Sequence, residues 1–218
     1  MPEKANIVGT ERSGLSLLGA MLDCPVSTTV SDGAQLASIF DKEHKELEGI
    51  SLFSITREHF LKYKTRILDG LLLLKESATP TIWIVRDPVP SVCSYMINLG
   101  MSGDEAFEYW HQVNCMLWYF YSMSDPSKRL LIKFEDLLLN PMEARSAFEI
   151  CGLEFSRQFV RYGDFDHQYP NVPNISTGQP QIEHVDPYPK TAEMQESWRQ
   201  YKNEQLIRWL GYNRVNMD

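Results

Sequence analysis

Two stretches of this chain carry residues whose types and spacing suit phosphate binding. The first is Ala5 to Leu18, ANIVGTERSGLSLL, where Ile7 and Val8 lead through Gly9, Arg12, Ser13 and Gly14 into the helical-looking run Leu15 to Leu22. A strand, a glycine-bounded turn and a helix start present unpaired N–H groups and the positive end of a helix dipole, and the glycines let an anion come close. Against the nucleotide-triphosphatase pattern G-x-x-x-x-G-K-[ST], residues Gly9, Gly14 and Ser16 fit. Leu15 stands where the lysine belongs, and the cation is Arg12, inside the turn. A triphosphatase needs that lysine on the β- and γ-phosphates and a hydroxyl on Mg²⁺, whereas a loop gripping one phosphate and a transferring group can do without both. ATP hydrolysis is therefore disfavoured.

The second stretch is VRDPVPSVCSYM, Val85 to Met96, in which Arg86 leaves a strand and Ser94 follows eight residues later in the next helix. An arginine there offers a planar fork of donors to a phosphate, and the serine adds a hydroxyl. The plainer alternative is that Arg86 pairs with a carboxylate and Ser94 packs. Taken together, in this order and about 70 residues apart, the two motifs resemble those of the sulfotransferases that use 3′-phosphoadenosine 5′-phosphosulfate (PAPS). Arg12, Ser13, Gly14 and Ser16 match that family's 5′-phosphosulfate loop, [KR]-S-G-[ST]-[ST]. Leu15 departs from it, so one phosphate contact at that position would be missing or made by the backbone alone. Arg86 and Ser94 match its 3′-phosphate motif. A third stretch, KFEDLLLNP from Lys133 to Pro141, is similar to the family's Y-E-D-L-x-x-D-P; there a structural role is expected, Glu135 and Asp136 capping and fixing the chain after a central strand. The resemblance runs from residue 5 to about residue 155.

The resemblance implies PAPS as donor, adenosine 3′,5′-bisphosphate as product and no metal. Sulfuryl transfer needs a held donor, an acceptor in line with sulfur, a base, and a cation at the bridging oxygen; Arg12 is the cation. Relatives place a histidine or glutamate base at the end of the strand preceding the arginine strand. Here that place reads as Lys75 to Ser77, which makes Glu76 the candidate, with a structural salt bridge as its alternative. Lys190 falls where relatives set a basic loop over the 3′-phosphate. His44, His59 and His111 read as surface or packing; His167 and His184 lie in a long loop and rank below Glu76. Trp110, Trp118, Tyr119 and Phe120 could line an acceptor pocket, but helical spacing favours core.

These residues need elements to hold them. Ser27 to Ser31 reads as a short strand, Asp32 as a cap for a helix over 33–40, and Asp41 to Ile50 as a charged helix end and loop. Arg57 to Leu68 has helical spacing and Gly70 is expected to end it. The continuous apolar runs Leu71 to Leu74 and Ile82 to Val85 then read as buried parallel strands bringing polar residues to one sheet edge. Helices are expected over Ser91 to Leu99, Asp104 to Tyr121 and Met142 to Cys151, a strand over Leu130 to Phe134, a long loop over 163–190, and one final helix from Ala192 to Leu210. The alternation of β and α predicts a three-layer α/β fold around a mostly parallel sheet.

The 218 residues suit a single domain. A net charge of −8 argues against nucleic acid or another extended polyanion as partner. Cys24, Cys93, Cys115 and Cys151 are widely spaced without C-x-x-C, which suggests free thiols in a reducing compartment and no metal site. MPEKAN has no apolar signal core, and no apolar run approaches the length of a membrane span. The expectation is a cytoplasmic, PAPS-dependent sulfotransferase acting on a hydroxyl or amine of a small acceptor, with no membrane partner and an oligomeric state the sequence does not reveal. Its rivals are a small-molecule kinase of similar architecture and an inactive nucleotide-binding relative. Acceptor choice is expected to reside in segments 32–56 and 163–190.

Overall fold

All six residues of the first strand, β1 (Ala5–Thr10), are buried, because it is flanked on both sides by other strands and on both faces by helices. The computed structural model describes residues 5–22, 30–32, 50–139, 141–155, 191–202 and 204–212. Within them lie β2 (Val30–Asp32), β3 (Ile50–Ile55), β4 (Thr81–Val85) and β5 (Arg129–Lys133). The sheet order is β2-β3-β1-β4-β5, and every pairing is parallel, with Val8 opposite Phe53 on one side and Trp83 on the other. The helices are α1 (Leu15–Met21), α2 (Arg57–Glu76), α3 (Pro88–Leu99), α4 (Gly103–Met123), α5 (Phe134–Leu139), α6 (Ala144–Cys151), α7 (Ala192–Tyr201) and α8 (Gln205–Trp209).

The period-two alternation of the strands divides the core. Val8, Phe53, Trp83 and Val85 face α2, α3, α4, α7 and α8; Ile7, Leu52, Ile82, Ile84 and Ile132 face α1, α5 and α6. The expected three-layer α/β fold with a parallel sheet is what the chain forms. Its connectivity also makes a crevice. After β1 the chain turns to one face through α1, and after the neighbouring β4 it turns to the other through α3, so the two strands part at their C-terminal ends, where ligands bind in open α/β sheets.

Three sequence expectations fail. Leu71 to Leu74 is not a strand: it belongs to α2, which spans Arg57–Glu76 with a kink at Tyr63, and Gly70 lies buried inside it. The buried positions Ile67, Gly70, Leu71 and Leu74 follow helical spacing, so the glycine lies in the helix's buried stripe rather than ending it. The strand next to β1 is instead Ile50–Ile55, within a stretch that reads as loop and variable segment. The last helix is two, α7 and α8, separated by a turn at Lys202. Asp32 ends β2, and the helix expected after it lies outside the described residues, as do Cys24, His44, segment 163–190 and with it His167, His184 and Lys190. Among the described residues no helix is long and apolar enough to cross a membrane, and no group of three His, Cys, Asp or Glu is placed to hold a metal.

Candidate active site

The turn after β1 is held by its own serine. Ser13, 1% exposed, donates from Oγ to the Thr10 carbonyl at 2.7 Å and from its N–H to the same oxygen at 3.2 Å. Gly9 makes room for it, since a Cβ there would stand 2.5 Å from Ser13 Oγ and 2.8 Å from the Ile84 carbonyl. To close the turn, Arg12 takes φ 64° and Gly14 φ 93°; Arg12 is the only non-glycine residue with positive φ among those described. Two successive carbonyls then point back into the protein, Glu11 O accepting from Tyr95 Oη at 3.0 Å and Arg12 O from Arg86 Nη1 at 3.2 Å. The N–H groups of Gly14 and Leu15 keep no backbone acceptor among the described residues, and the Arg12 side chain is exposed. The turn can therefore receive an anion, as its glycines suggest. Leu15 is 7% exposed and packs its side chain with α1 in the core, which is why it offers a phosphate only its N–H. Ser16 lies in the first turn of α1.

Arg86 is the second cation at this edge. It stands where β4 ends, its guanidinium carbon 4.9 Å above the centre of the Phe134 ring, and its carbonyl accepts from Trp110 Nε1 at 3.1 Å. No described carboxylate pairs with it, and its Nε is buried without a hydrogen-bond partner. The backbone beyond is fixed by carboxylates: Asp87 caps α3 by accepting from Val89 N at 2.8 Å, and Asp87 N donates to Glu135 Oε1 at 2.9 Å. Glu135 Oε2 accepts from Tyr212 Oη at 2.9 Å, and burial pushes that phenol well above its usual pKa, so it remains a donor. Glu135 thus ties β5 to the start of α3, the structural part expected of it. Ser94, in the second turn of α3, is 1% exposed and its Oγ accepts from Asn98 Nδ2 at 3.2 Å. Its hydroxyl hydrogen is left to donate.

Phe134 joins the two motifs, and no sequence pattern singles it out. Its ring lies under Arg86 and also against Gly14, where a Cβ would stand 2.6 Å from Cε2 and closer still to Cδ2. Beside this crevice opens a cavity of about 750 Å³ lined by Glu11, Thr56, Arg57, Glu58, His59, Leu61, Lys62 and Leu99. Thr56 caps α2, accepting from His59 N at 3.3 Å, and its Oγ1 lies 2.8 Å from His59 Nδ1. Glu11 Oε1 accepts from Arg57 N at 2.9 Å, fastening the start of α2 to the β1 turn. His59, read from sequence as packing or surface, therefore lines the cavity. The missing signal was β3: once Ile50–Ile55 is a strand, Thr56 to His59 becomes a strand end followed by a capped helix.

Glu76 is not in this neighbourhood. It is the last residue of α2, and the strand that follows begins at Thr81, paired with Asn6 at the start of β1. That is the opposite edge of the sheet, a strand length or about 16 Å away at ~3.3 Å per residue, because the run Leu71 to Leu74 is helical and descends rather than rises. The base role expected of Glu76 is withdrawn on that ground. His111 sits on α4 near Glu204, 3.7 Å from Oε2, and contacts Cys115 Sγ at 3.4 Å. Trp110 and Phe120 are core, Trp118 stacks on Trp209, and Tyr119 is exposed; none of the four lines the cavity.

No family model matches the chain, and no curated protein matches it significantly. Solved structures do. The sulfotransferase domain from the Synechococcus PCC 7002 olefin synthase aligns with a TM-score of 0.60 at 16% identity, over 97% of this chain and 95% of that one. Mouse sulfotransferase SULT7A1, solved in complex with PAP, aligns with a TM-score of 0.56 at 10% identity, over 96% and 88%. This chain has the sulfotransferase fold.

Proposed function

We propose that residues 1–218 form one PAPS-dependent sulfotransferase domain that transfers a sulfuryl group to a hydroxyl or amine of a small acceptor. The observation that carries this reading is the convergence of two arginines on one crevice: Arg12 in a positive-φ turn and Arg86, whose buried Nε has no partner, joined through Arg12 O. An unpaired buried donor of a guanidinium is costly unless an anion meets it. The mouse sulfotransferase of the same fold holds PAP, which supports the same nucleotide here. Residues 12–16 would hold the 5′ end, and Arg86, Ser94 and Lys190 the 3′-phosphate.

Bound there, PAPS supplies the sulfuryl group, its bond to the 5′-phosphate oxygen breaking as the acceptor bonds to sulfur. Arg12 balances negative charge at that oxygen. The cavity beside the turn takes the acceptor, its volume lying within the usual range for small-molecule sites. His59 replaces Glu76 as base. In the tautomer that carries the ring proton on Nδ1, 2.8 Å from Thr56 Oγ1, Nε2 is the nitrogen that would take the acceptor's proton. Cys93, Cys115 and Cys151 are thiols rather than disulfides, which supports the cytoplasm as the compartment.

Thermal melting with nucleotides tests the reading without an acceptor. At about 100 times its Kd, adenosine 3′,5′-bisphosphate should stabilise the fold by about 2.7 kcal/mol, a rise in Tm of about 5 to 10 °C for this chain length. ATP with Mg²⁺ should do much less, because Leu15 replaces the lysine that reaches a γ-phosphate. A kinase reverses that order, and an inactive relative binds the bisphosphate without transferring sulfate from PAPS to alcohols or amines. If neither nucleotide moves the melting curve, the proposal fails.

A further inference from the structure

The turn that bears Arg12 is not held by its own residues alone. Tyr95, fully buried in α3, reaches across the crevice and donates from Oη to the Glu11 carbonyl at 3.0 Å. Tyr109, buried in α4, donates to the Ile55 carbonyl at 2.5 Å, and that same oxygen accepts from Glu11 N at 3.2 Å. The two phenol rings meet edge to face with centroids 5.2 Å apart. Glu11 is thereby fixed on three sides: its carbonyl by Tyr95, its N–H by Ile55, and its carboxylate by Arg57 N.

We propose that Tyr95 is a positioning residue for the donor's 5′ end, its hydroxyl setting the Glu11 peptide so that Arg12 can hold its left-handed conformation over the site. The inference rests on the proposed nucleotide and adds a residue that the two motifs do not include in either phosphate contact. Arg12 at φ 64° carries a conformational penalty of the kind that persists only where surrounding contacts over-determine it. The supporting contacts are the hydrogen bonds to the carbonyls of residues 11 and 12, from Tyr95 and Arg86. Burial raises the Tyr95 pKa, the hydrogen bond with Thr10 opposing it, so the phenol is a donor throughout the working pH range. Removing it leaves the Glu11 carbonyl without that donor and frees the peptide to rotate, which moves Arg12 and the N–H groups after it; Arg86 shares a hydrogen bond with Arg12 O but keeps its place through the Phe134 ring beneath its guanidinium.

The test separates the two ends of the nucleotide. Affinities of wild type and Tyr95→Phe are measured by calorimetry for adenosine 3′,5′-bisphosphate and for adenosine 3′-monophosphate, which lacks the 5′ group. Phenylalanine keeps the ring and its contact with Tyr109. The expected result is a three- to tenfold loss for the bisphosphate, roughly the range of one hydrogen bond, with the 3′-monophosphate unchanged. A purely structural tyrosine would weaken both ligands equally or neither, and either outcome overturns the proposal. Tyr109→Phe, which keeps the Tyr95 bond, checks specificity: its preference for the bisphosphate should stay at the wild-type ratio, and an equal loss there would also refute a particular role for Tyr95. If wild type binds neither ligand, the nucleotide assignment itself has failed, an outcome distinct from all of these.

Discussion

Replacing Gly14 with alanine tests how tightly the turn after β1 is built against its neighbour. The substitution adds one methyl at φ 93°, a conformation that costs an L-residue about 1–2 kcal/mol. The methyl also enters the space of the Phe134 ring, 2.6 Å from Cε2; shifting a packed ring costs about 1–3 kcal/mol more. The expected total is about 2–5 kcal/mol, or a fall in Tm near 10 °C at about 2–4 °C per kcal/mol for this chain length. Gly100→Ala is the control. Gly100 has φ 65° but nothing within 4 Å of its Cβ position, so only the conformational part applies. Calorimetric melting of Gly14→Ala in wild-type and Phe134→Ala backgrounds isolates the ring's share: with the ring gone, the penalty should drop to that of Gly100→Ala. A penalty equal in both backgrounds, or no larger than the control's, would refute the claim that Phe134 closes the turn.

Three further outcomes concern the proposed chemistry and nucleotide binding. His59→Gln should keep nucleotide affinity while turnover falls by roughly 10² to 10⁴, and Glu76→Gln should leave both unchanged; calorimetry reads the affinity and single-turnover transfer from PAPS the rate. Arg86→Ala should weaken adenosine 3′,5′-bisphosphate binding by about 2–4 kcal/mol, since it removes a charge-assisted fork, with little change in the melting temperature of the free protein. Unchanged affinity would take Arg86 out of the site.

What the sequence disclosed and what it hid have different physical causes. The strand leading into the Arg12 turn and the strand before Arg86 are local: short buried runs next to glycine and arginine, with few other ways to fold. Gly70 misled because glycine marks a helix end only when solvent or a left-handed turn follows. Here Gly70 is buried inside α2, and the leucines after it are apolar in a run yet buried at helical intervals. That one misjudgement moved the expected base from the upper edge of the sheet to Glu76. Strand β3 was obscured by the charged residues before it, and without β3 nothing in the chain marks His59 as different from His111. Tyr95 and Phe134 act through contacts more than 80 and 100 residues away along the chain, with Glu11 and Gly14, which no local pattern encodes.

The helix α2 is bent at Tyr63, whose φ of −128° and ψ of 25° interrupt the helical path. The turn before the bend carries five of the eight cavity-lining residues from Arg57 to Lys62 and is moored by Glu11 and Thr56; the length after it contributes Ile67, Gly70, Leu71 and Leu74 to the core. One continuous segment is thus divided into a recognition part and a load part that meet at a hinge point. Sequence change can accumulate in each at its own pace: new side chains at 57, 58, 61 and 62 would reshape the cavity, and with it the acceptor choice proposed above, without disturbing the buried stripe, and repacking of the stripe leaves the mouth of the cavity where it was. A helix arranged this way can change what its cavity admits while the turn after β1 stays constant.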